Sequence, residues 1–517
     1  MTGMNTLLRR VGACHRLLLT AVLAVSSTTA SALPAAADPG GTGPVPAEVD
    51  RFLSDFVDES GVPGVSVAIT KGTEVVYVTG AGHGSDGEPV TADTLMRVAS
   101  LSKSFTALAV MQLVEEGKVD LDRPVRTYLP EFTLDDPRVE DITVRQLLNH
   151  TSGMADSEFR DEHRVGPDTL EEYVAGMADV GLAAEPGSRY SYHNPNFRVA
   201  ARLVEVVGGE PIDEYLARRV FAPLGMESSL MIITGDQPVP GLPDGHVWAY
   251  GRALPAPDRG HVQAGAGGVV TTARDMARWL IMQNNGGESA EGTPIVSAGS
   301  IAEMHRPQGP GDEPEDGHGL GWAKKPPADG KGPVRVSHGG AGRTYGSYQG
   351  LFTESGGYGI AVMINSGLGL DVPQPSDVVE GLTPILGIEE PRPYDHPPML
   401  TQDLVLTLLA VLSAGLGAWG ALRSGRWARR RAAGPWWRTV LGLLPSAAVI
   451  TVVLWTPAYL SDLFGGRTVT WSHIVFGAPV LAAWCAAMGL SAVLVTVVRG
   501  MRLLRILRSP DPGEDAR

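Results

Sequence analysis

Ser100-Leu101-Ser102-Lys103 opens a stretch whose pattern predicts a helix over residues 100–119, and it is the only Ser-x-x-Lys in the chain. On a helix, positions i and i+3 share a face, so the hydroxyl of Ser100 and the amine of Lys103 can touch. A serine hydroxyl is a weak nucleophile until a neighbouring base takes its proton. A lysine can do so only when burial or nearby positive charge keeps it neutral. A helix N-terminus also offers free N–H groups to a developing oxyanion. Taken alone, the same four residues also describe a helix N-cap followed by a surface lysine.

Two further clusters lie downstream. In Arg189-Tyr190-Ser191-Tyr192-His193-Asn194-Pro195, Pro195 disfavours helix at Asn194. Asn194 as N-cap with Pro195 at the first helical position makes a good helix start. Tyr192 and Asn194 are then expected on a loop that ends at a helix, either facing a cleft or serving only packing and capping. In Val336-Ser337-His338-Gly339-Gly340-Ala341-Gly342, a strand turns glycine-rich. That allows close approach of a ligand or another backbone, or marks a bulge at a strand end.

In this order, the Ser-x-x-Lys, Tyr-x-Asn and His-Gly-Gly clusters resemble the serine β-lactamase and D-alanyl-D-alanine carboxypeptidase superfamily, on its class C-like branch. Arg97-Val98-Ala99-Ser100, Leu147-Leu148-Asn149-His150-Thr151-Ser152-Gly153-Met154 and Gly265-Ala266-Gly267-Gly268-Val269 add to the likeness, which spans residues 48–390. The resemblance implies an α/β (α+β) fold: an antiparallel sheet flanked by helices, plus a helical lobe. It implies an acyl-enzyme on Ser100, with Lys103 as its base and Tyr192 as a second base that passes the proton to the leaving group. Asn194, His338, Gly340 and Ala341 would contact substrate, with the N–H groups of Ser100 and Ala341 as the oxyanion hole. His150 resembles a structural residue. The expected substrate is a small or cell-wall-derived ester, D-amino-acid peptide or amide, and no cofactor or metal is expected.

The third cluster departs from the family pattern. Many β-lactamases carry Lys-Thr-Gly where this chain has His338-Gly339-Gly340. A permanent cation becomes a histidine that is mostly neutral near pH 7, and a hydroxyl is lost at Gly339. Both normally help to hold a substrate carboxylate, which bears against penicillin as the substrate. Family members with histidine here include esterases and peptidases. Arg343 stands either to restore a positive charge or as an ordinary surface arginine. A non-catalytic binding or sensor protein with a degenerate site is the competing expectation. An α/β-hydrolase is excluded by the lack of any Gly-x-Ser-x-Gly. A zinc hydrolase is disfavoured because the 12 histidines form neither His-x-His nor His-Glu-x-x-His.

Around these clusters, β-rich runs at Val65–Thr70 and Glu74–Thr79 flank Lys71-Gly72-Thr73, a hairpin signal. Helical patterns follow at Val144–Asn149, Arg198–Val207 and Ile212–Phe221. Strand patterns return at Arg335–Ser337, Ser347–Thr353 and Tyr358–Ile364. The order predicts one sheet drawn from both ends of a domain over 45–390, a helical second lobe, and a cleft between them.

The net charge of −15 over 517 residues hides a division. Residues 38–422 hold 27 Lys+Arg against 53 Asp+Glu, and residues 423–508 hold 11 Arg against the single acid Asp462. The acidic middle argues against a nucleic-acid partner. The two cysteines, Cys14 and Cys485, lie outside residues 45–390, so that stretch has no disulfide and no thiol nucleophile.

Residues 1–37 read as a secretory signal. Arg9, Arg10 and Arg16 precede the apolar Leu17–Val25, with cleavage candidates at Ala30-Ser31-Ala32 and Ala35-Ala36-Ala37. An uncleaved anchor is the alternative. After a Pro-rich linker over 391–403, uncharged runs at Leu404–Leu422, Thr439–Leu460 and Ile474–Val498 are long enough to span a bilayer. Arginines between the first two runs and after the third place those ends, and the tail 499–517, in the cytoplasm. The domain is then extracellular. Trp436, Trp437, Trp455, Tyr459 and Trp471 suit the interfaces. No ionisable side chain lies within the runs, which favours an anchor over a transport path. The expected partners are thus substrate and lipid bilayer, and oligomeric state is left open.

Overall fold

A computed structural model describes residues 46–159, 168–258, 262–311, 316–326, 333–367, 369, 372–390, 399–463 and 468–508. The signal segment, most of the Pro-rich linker and the last nine residues lie outside the described residues. The described residues divide into two compact units, 46–248 with 252–390, and 399–508 with 249–251.

The first unit is built on an antiparallel sheet of seven strands: β1 (Gly64–Lys71), β2 (Glu74–Gly82), β3 (Gly317–His318), β4 (Ala323–Lys325), β5 (Arg335–Ala341), β6 (Gly346–Phe352) and β7 (Tyr358–Ile364). Their spatial order is β2-β1-β7-β6-β5-β4-β3, so the two ends of the domain do share one sheet. β1 pairs with β7 through Val65↔Ile364, and β5 with β6 through Val336↔Leu351. β1 and β7 are buried on both faces over almost their whole length, which explains near-continuous apolar runs rather than alternation.

Helices α1 (Pro46–Ser60) and α2 (Ser102–Glu115) come first, followed by α3 (Val144–Leu148), α4 (Asn194–Gly208), α5 (Ala273–Asn284) and α6 (Pro375–Ile385). α5 lies on β1 and β7, where Gly359 leaves room: a Cβ there would stand 3.1 Å from Leu280 Cβ. α2 is the centre of the helical layer and is buried from Ser102 to Leu113. A helix buried on all sides carries no polar stripe. Its Phe105 stacks on Trp279 of α5 at 3.8 Å between ring centroids. Trp279 Nε1 donates to Gln349 Oε1 at 3.0 Å, and Gln349 Nε2 donates to Ser104 Oγ at 3.0 Å, tying α5, β6 and α2 through fully buried polar groups.

Three expected boundaries change. The helix expected over 100–119 is a 3-10 turn at Ala99–Leu101 followed by α2. Ala99 takes φ +45°, which an α-helix cannot contain, and Gly117 at φ +69° ends α2 before Val119. α4 begins at Asn194, with His193 rather than Asn194 in the capping position and no side-chain cap bond. The helix expected over Ile212–Phe221 passes from α to π at Ala217 and runs on to Leu224.

The second unit holds α7 (Met399–Ala432), α8 (Trp436–Leu463), α9 (Trp471–Gly477) and α10 (Pro479–Arg508). Three of these, α7, α8 and α10, are long and apolar enough to cross a membrane. The single run expected over Ile474–Val498 is broken at Ala478, because Pro479 disfavours helix in the residue before it. α7 starts at Met399, so the last five residues assigned to the linker are helical.

Candidate active site

Ser100 sits on the 3-10 turn and Lys103 in the first turn of α2. Lys103 is fully buried, a position that a lysine rarely takes without partners. Its Nζ donates to Ser100 Oγ at 3.0 Å and to the carbonyl of Ala266 at 2.8 Å, and lies 4.9 Å from the centroid of the Tyr192 ring. Tyr192 OH donates to Ser100 Oγ at 2.8 Å. The serine oxygen thus lies between an amine and a phenol, either of which can relay its proton. Ser102 is occupied structurally: its Oγ donates to Ala99 O at 2.7 Å and accepts from Val269 N–H at 2.9 Å.

β5 passes beside this turn. Gly340 is the closest point, where a Cβ would stand 2.0 Å from Ser347 Oγ and 2.4 Å from Val98 O. Gly342 N–H donates to Tyr345 O, which sets the phase of the β5–β6 ladder. Bonded and non-bonded pairs alternate along it, so the N–H of Ala341 faces away from β6. β4 pairs with β5 only at Arg335, Val336 and Ser337. Ala341 therefore turns its N–H to the flank of β5 that β4 leaves unpaired. Around Gly339 nothing stands within 4 Å of an added Cβ, which leaves space where the family's threonine would be.

His338 is half-buried, and its Nδ1 pairs with the carbonyl of Gly339 at 2.8 Å. Burial first, then the charge of Lys103, pushes its pKa down to about 3. At neutral pH it offers a neutral imidazole, not a cation.

Asn194 starts α4, and its Oδ1 is buried with no partner among the described residues, an acceptor left for something else. His150 is buried at φ +62°. Its Nδ1 accepts from His193 N–H at 3.2 Å, its carbonyl accepts from Ser191 N–H at 2.8 Å, and its ring tilts against Tyr192 at 4.4 Å. Burial holds its pKa well below the ordinary value. It therefore acts as the neutral post on which the Tyr192 loop is built. Arg343 lies in the turn between β5 and β6, where its charge, after that of Arg97, acts on the half-buried carboxyl of Asp258.

Three contributors escaped the sequence reading of individual positions. Ala266 supplies the carbonyl for Lys103, and its run of glycines was the available signal. Ala99 supplies the strained backbone, for which an alanine gives no sign. His318, at the edge strand β3, stacks on Tyr190 at 3.9 Å and extends the aromatic wall His150–Tyr192. Among the described residues no group of three or more His, Cys, Asp or Glu could hold a metal.

A model of the Beta-lactamase family matches residues 49–376. The chain is 34% identical over 254 residues to Penicillin-binding protein 4 of Amycolatopsis lactamdurans, an alignment covering 48% of this chain and 66% of that protein, just under two thirds. The octameric penicillin-binding protein homologue of Pyrococcus abyssi superposes with TM-score 0.56 at 29% identity, over 70% of this chain and 81% of that one. The D-amino acid amidase of Ochrobactrum anthropi SV3 superposes with TM-score 0.53 at 26% identity, over 66% of this chain and 98% of that one. A family match across most of the chain, on a sheet and helix layer that bring Ser100, Lys103 and Tyr192 within hydrogen-bond reach, leads to one assignment: the chain belongs to the Beta-lactamase family.

Proposed function

We propose that this chain is an exported, membrane-anchored serine hydrolase that forms an acyl-enzyme on Ser100 and hydrolyses an ester, a D-amino-acid peptide or an amide. The observation that carries this reading is the pair of contacts on Ser100 Oγ, from Lys103 Nζ at 3.0 Å and Tyr192 OH at 2.8 Å. Ser100 Oγ attacks the substrate carbonyl carbon while its proton passes to the neutral amine of Lys103, which hands one on to Tyr192 as the leaving group departs. The oxyanion is held by the N–H groups of Ser100 and Ala341. Tyr192 gives a proton to the departing alcohol or amine, and water then attacks the acyl carbon and returns Ser100 to its hydroxyl form. Asn194 receives the substrate's amide.

The substrate class follows from His338. A neutral imidazole holds a free carboxylate less strongly than a lysine does. This favours esters and amides over substrates recognised by a terminal carboxylate, and likeness to a D-amino acid amidase points the same way. Three long apolar helices and the basic, apolar start of the chain support anchoring and export.

The test is covalent labelling of the full chain with a fluorophosphonate and with a fluorescent penicillin, read by intact mass. Fluorophosphonate addition at Ser100, lost in Ser100→Ala, is expected. Failure of both probes on folded protein would leave a non-catalytic binding protein as the better reading.

A further inference from the structure

The arginine-rich end of the membrane unit contains two side chains that topology alone does not explain. Arg423, Arg426, Arg429, Arg430 and Arg431 close α7, Arg438 begins α8, and Arg499, Arg502, Arg505 and Arg508 close α10. α7 and α10 run parallel, since Gly417 meets Ser491, Gly420 meets Val495 and Gly425 meets Arg502, so these arginines gather at one end. The acids of the described helices, Asp403 and Asp462, stand at the other end. A cytoplasmic excess of arginine requires only that the charges reach water, as the exposed Arg429 and Arg430 do.

Arg431 and Arg499 turn inward instead. Their guanidinium carbons lie 5.8 and 5.1 Å from the ring of Trp427. Arg499 Nη1 donates to the carbonyl of Gly442 on α8 at 2.9 Å. Gly442 also makes room for the indole, because a Cβ there would stand 2.8 Å from Trp427 Nε1. The Nε atoms of both arginines are buried and have no acceptor among the described residues. Two like charges on one ring, with buried N–H donors left over, form an arrangement that an anion with several acceptor oxygens would complete. A phosphodiester has those oxygens, and the headgroup layer holds phosphodiesters at the depth where a spanning helix ends.

We propose that Trp427, Arg431 and Arg499 form a headgroup site for an anionic phospholipid, bridging α7, α8 and α10. The proposal rests on the membrane-anchor reading above and is separable from it. Insertion into vesicles of any composition reports the anchor, whereas lipid selectivity reports the site.

The experiment reconstitutes the full chain in nanodiscs of phosphatidylglycerol and phosphatidylcholine in equal amounts, extracts it into detergent, and reads retained lipid by native mass spectrometry. Retention of phosphatidylglycerol over phosphatidylcholine by about tenfold or more is expected from two guanidinium contacts. Arg431→Gln/Arg499→Gln should abolish the preference. Arg429→Gln/Arg430→Gln, with the same change in charge, should keep it. Equal retention of both lipids by the unaltered chain overturns the site without needing any variant. Equal loss in both double variants also overturns it, in favour of diffuse charge. Displacement of the lipid by inorganic phosphate would reassign the site to a soluble anion.

Discussion

Ser100 Oγ has two donors within 3.0 Å, and the fully buried Lys103 is the one that sequence spacing can place beside it. Lys103→Ala is expected to lower kcat/KM on a p-nitrophenyl ester by roughly a thousandfold through loss of a general base. Lys103→Arg should be equally poor, since a guanidinium does not give up its proton. Tyr192→Phe should retain more activity than Lys103→Ala if the phenol serves chiefly the leaving group, and the ratio of ester to amide hydrolysis measures this. At the third motif, His338→Lys with Gly339→Thr fills space that is open in the native chain. It should raise acylation by a carboxylate-bearing penicillin about ten- to a hundredfold, the worth of a charge-assisted hydrogen bond. An unchanged rate would mean that His338 does not face the substrate carboxylate. Histidines also set the acid limit of stability. His305 and His338 are each pushed to about 3, and His150 also falls well below 6.5, burial being the largest cause in all three. The unfolded chain therefore takes up protons first as pH falls below about 6.5, so stability declines from there toward pH 3. Thermal unfolding at stepwise lower pH should show this decline, and His305→Gln should make it shallower.

At the scale of elements, the site depends on how closely β5 approaches the turn before α2. Gly340→Ala puts a Cβ 2.0 Å from Ser347 Oγ and 2.4 Å from Val98 O, which forces strand and turn apart. The expected result is about a hundredfold loss of kcat, the effect of a shift near 1 Å in a catalytic group, while far-UV circular dichroism stays native. Retention of full activity would show that the strand's position is not critical. β1 and β7 were legible because two-sided burial leaves long apolar runs, and β2 and β6 also lie where the pattern put them. The start of α2 was not legible: Ala99 has an ordinary helix-forming side chain, yet it takes φ +45° in the turn before α2. The break at Ala478 was legible in principle, since Pro479 follows it, but an unbroken apolar run concealed it.

At the scale of the whole molecule, the catalytic unit has its own apolar core and its own sheet, both complete before residue 399. A chain ending at residue 390 is expected to hydrolyse a p-nitrophenyl ester at the rate of the full chain and to partition into the aqueous phase of a cloud-point detergent. The full chain should enter the detergent phase, carried by α7, α8 and α10. A truncated chain that aggregates or loses most of its rate would give the membrane unit a part in the catalytic fold.

By itself, the sequence determined the three ordered motifs, the two-ended sheet, the apolar spans and the side on which their arginines gather. All of these are written in local periodicity and residue spacing. Tertiary structure alone decided that Ser100 Oγ meets Lys103 and Tyr192 at once, that Gly340 brings β5 against the turn, and that Arg431 and Arg499 face inward on Trp427. Those contacts join residues from 72 to 242 positions apart, apart from Ser100–Lys103 and Trp427–Arg431 within a helical turn. Their geometry is fixed by how layers pack, which no local pattern encodes.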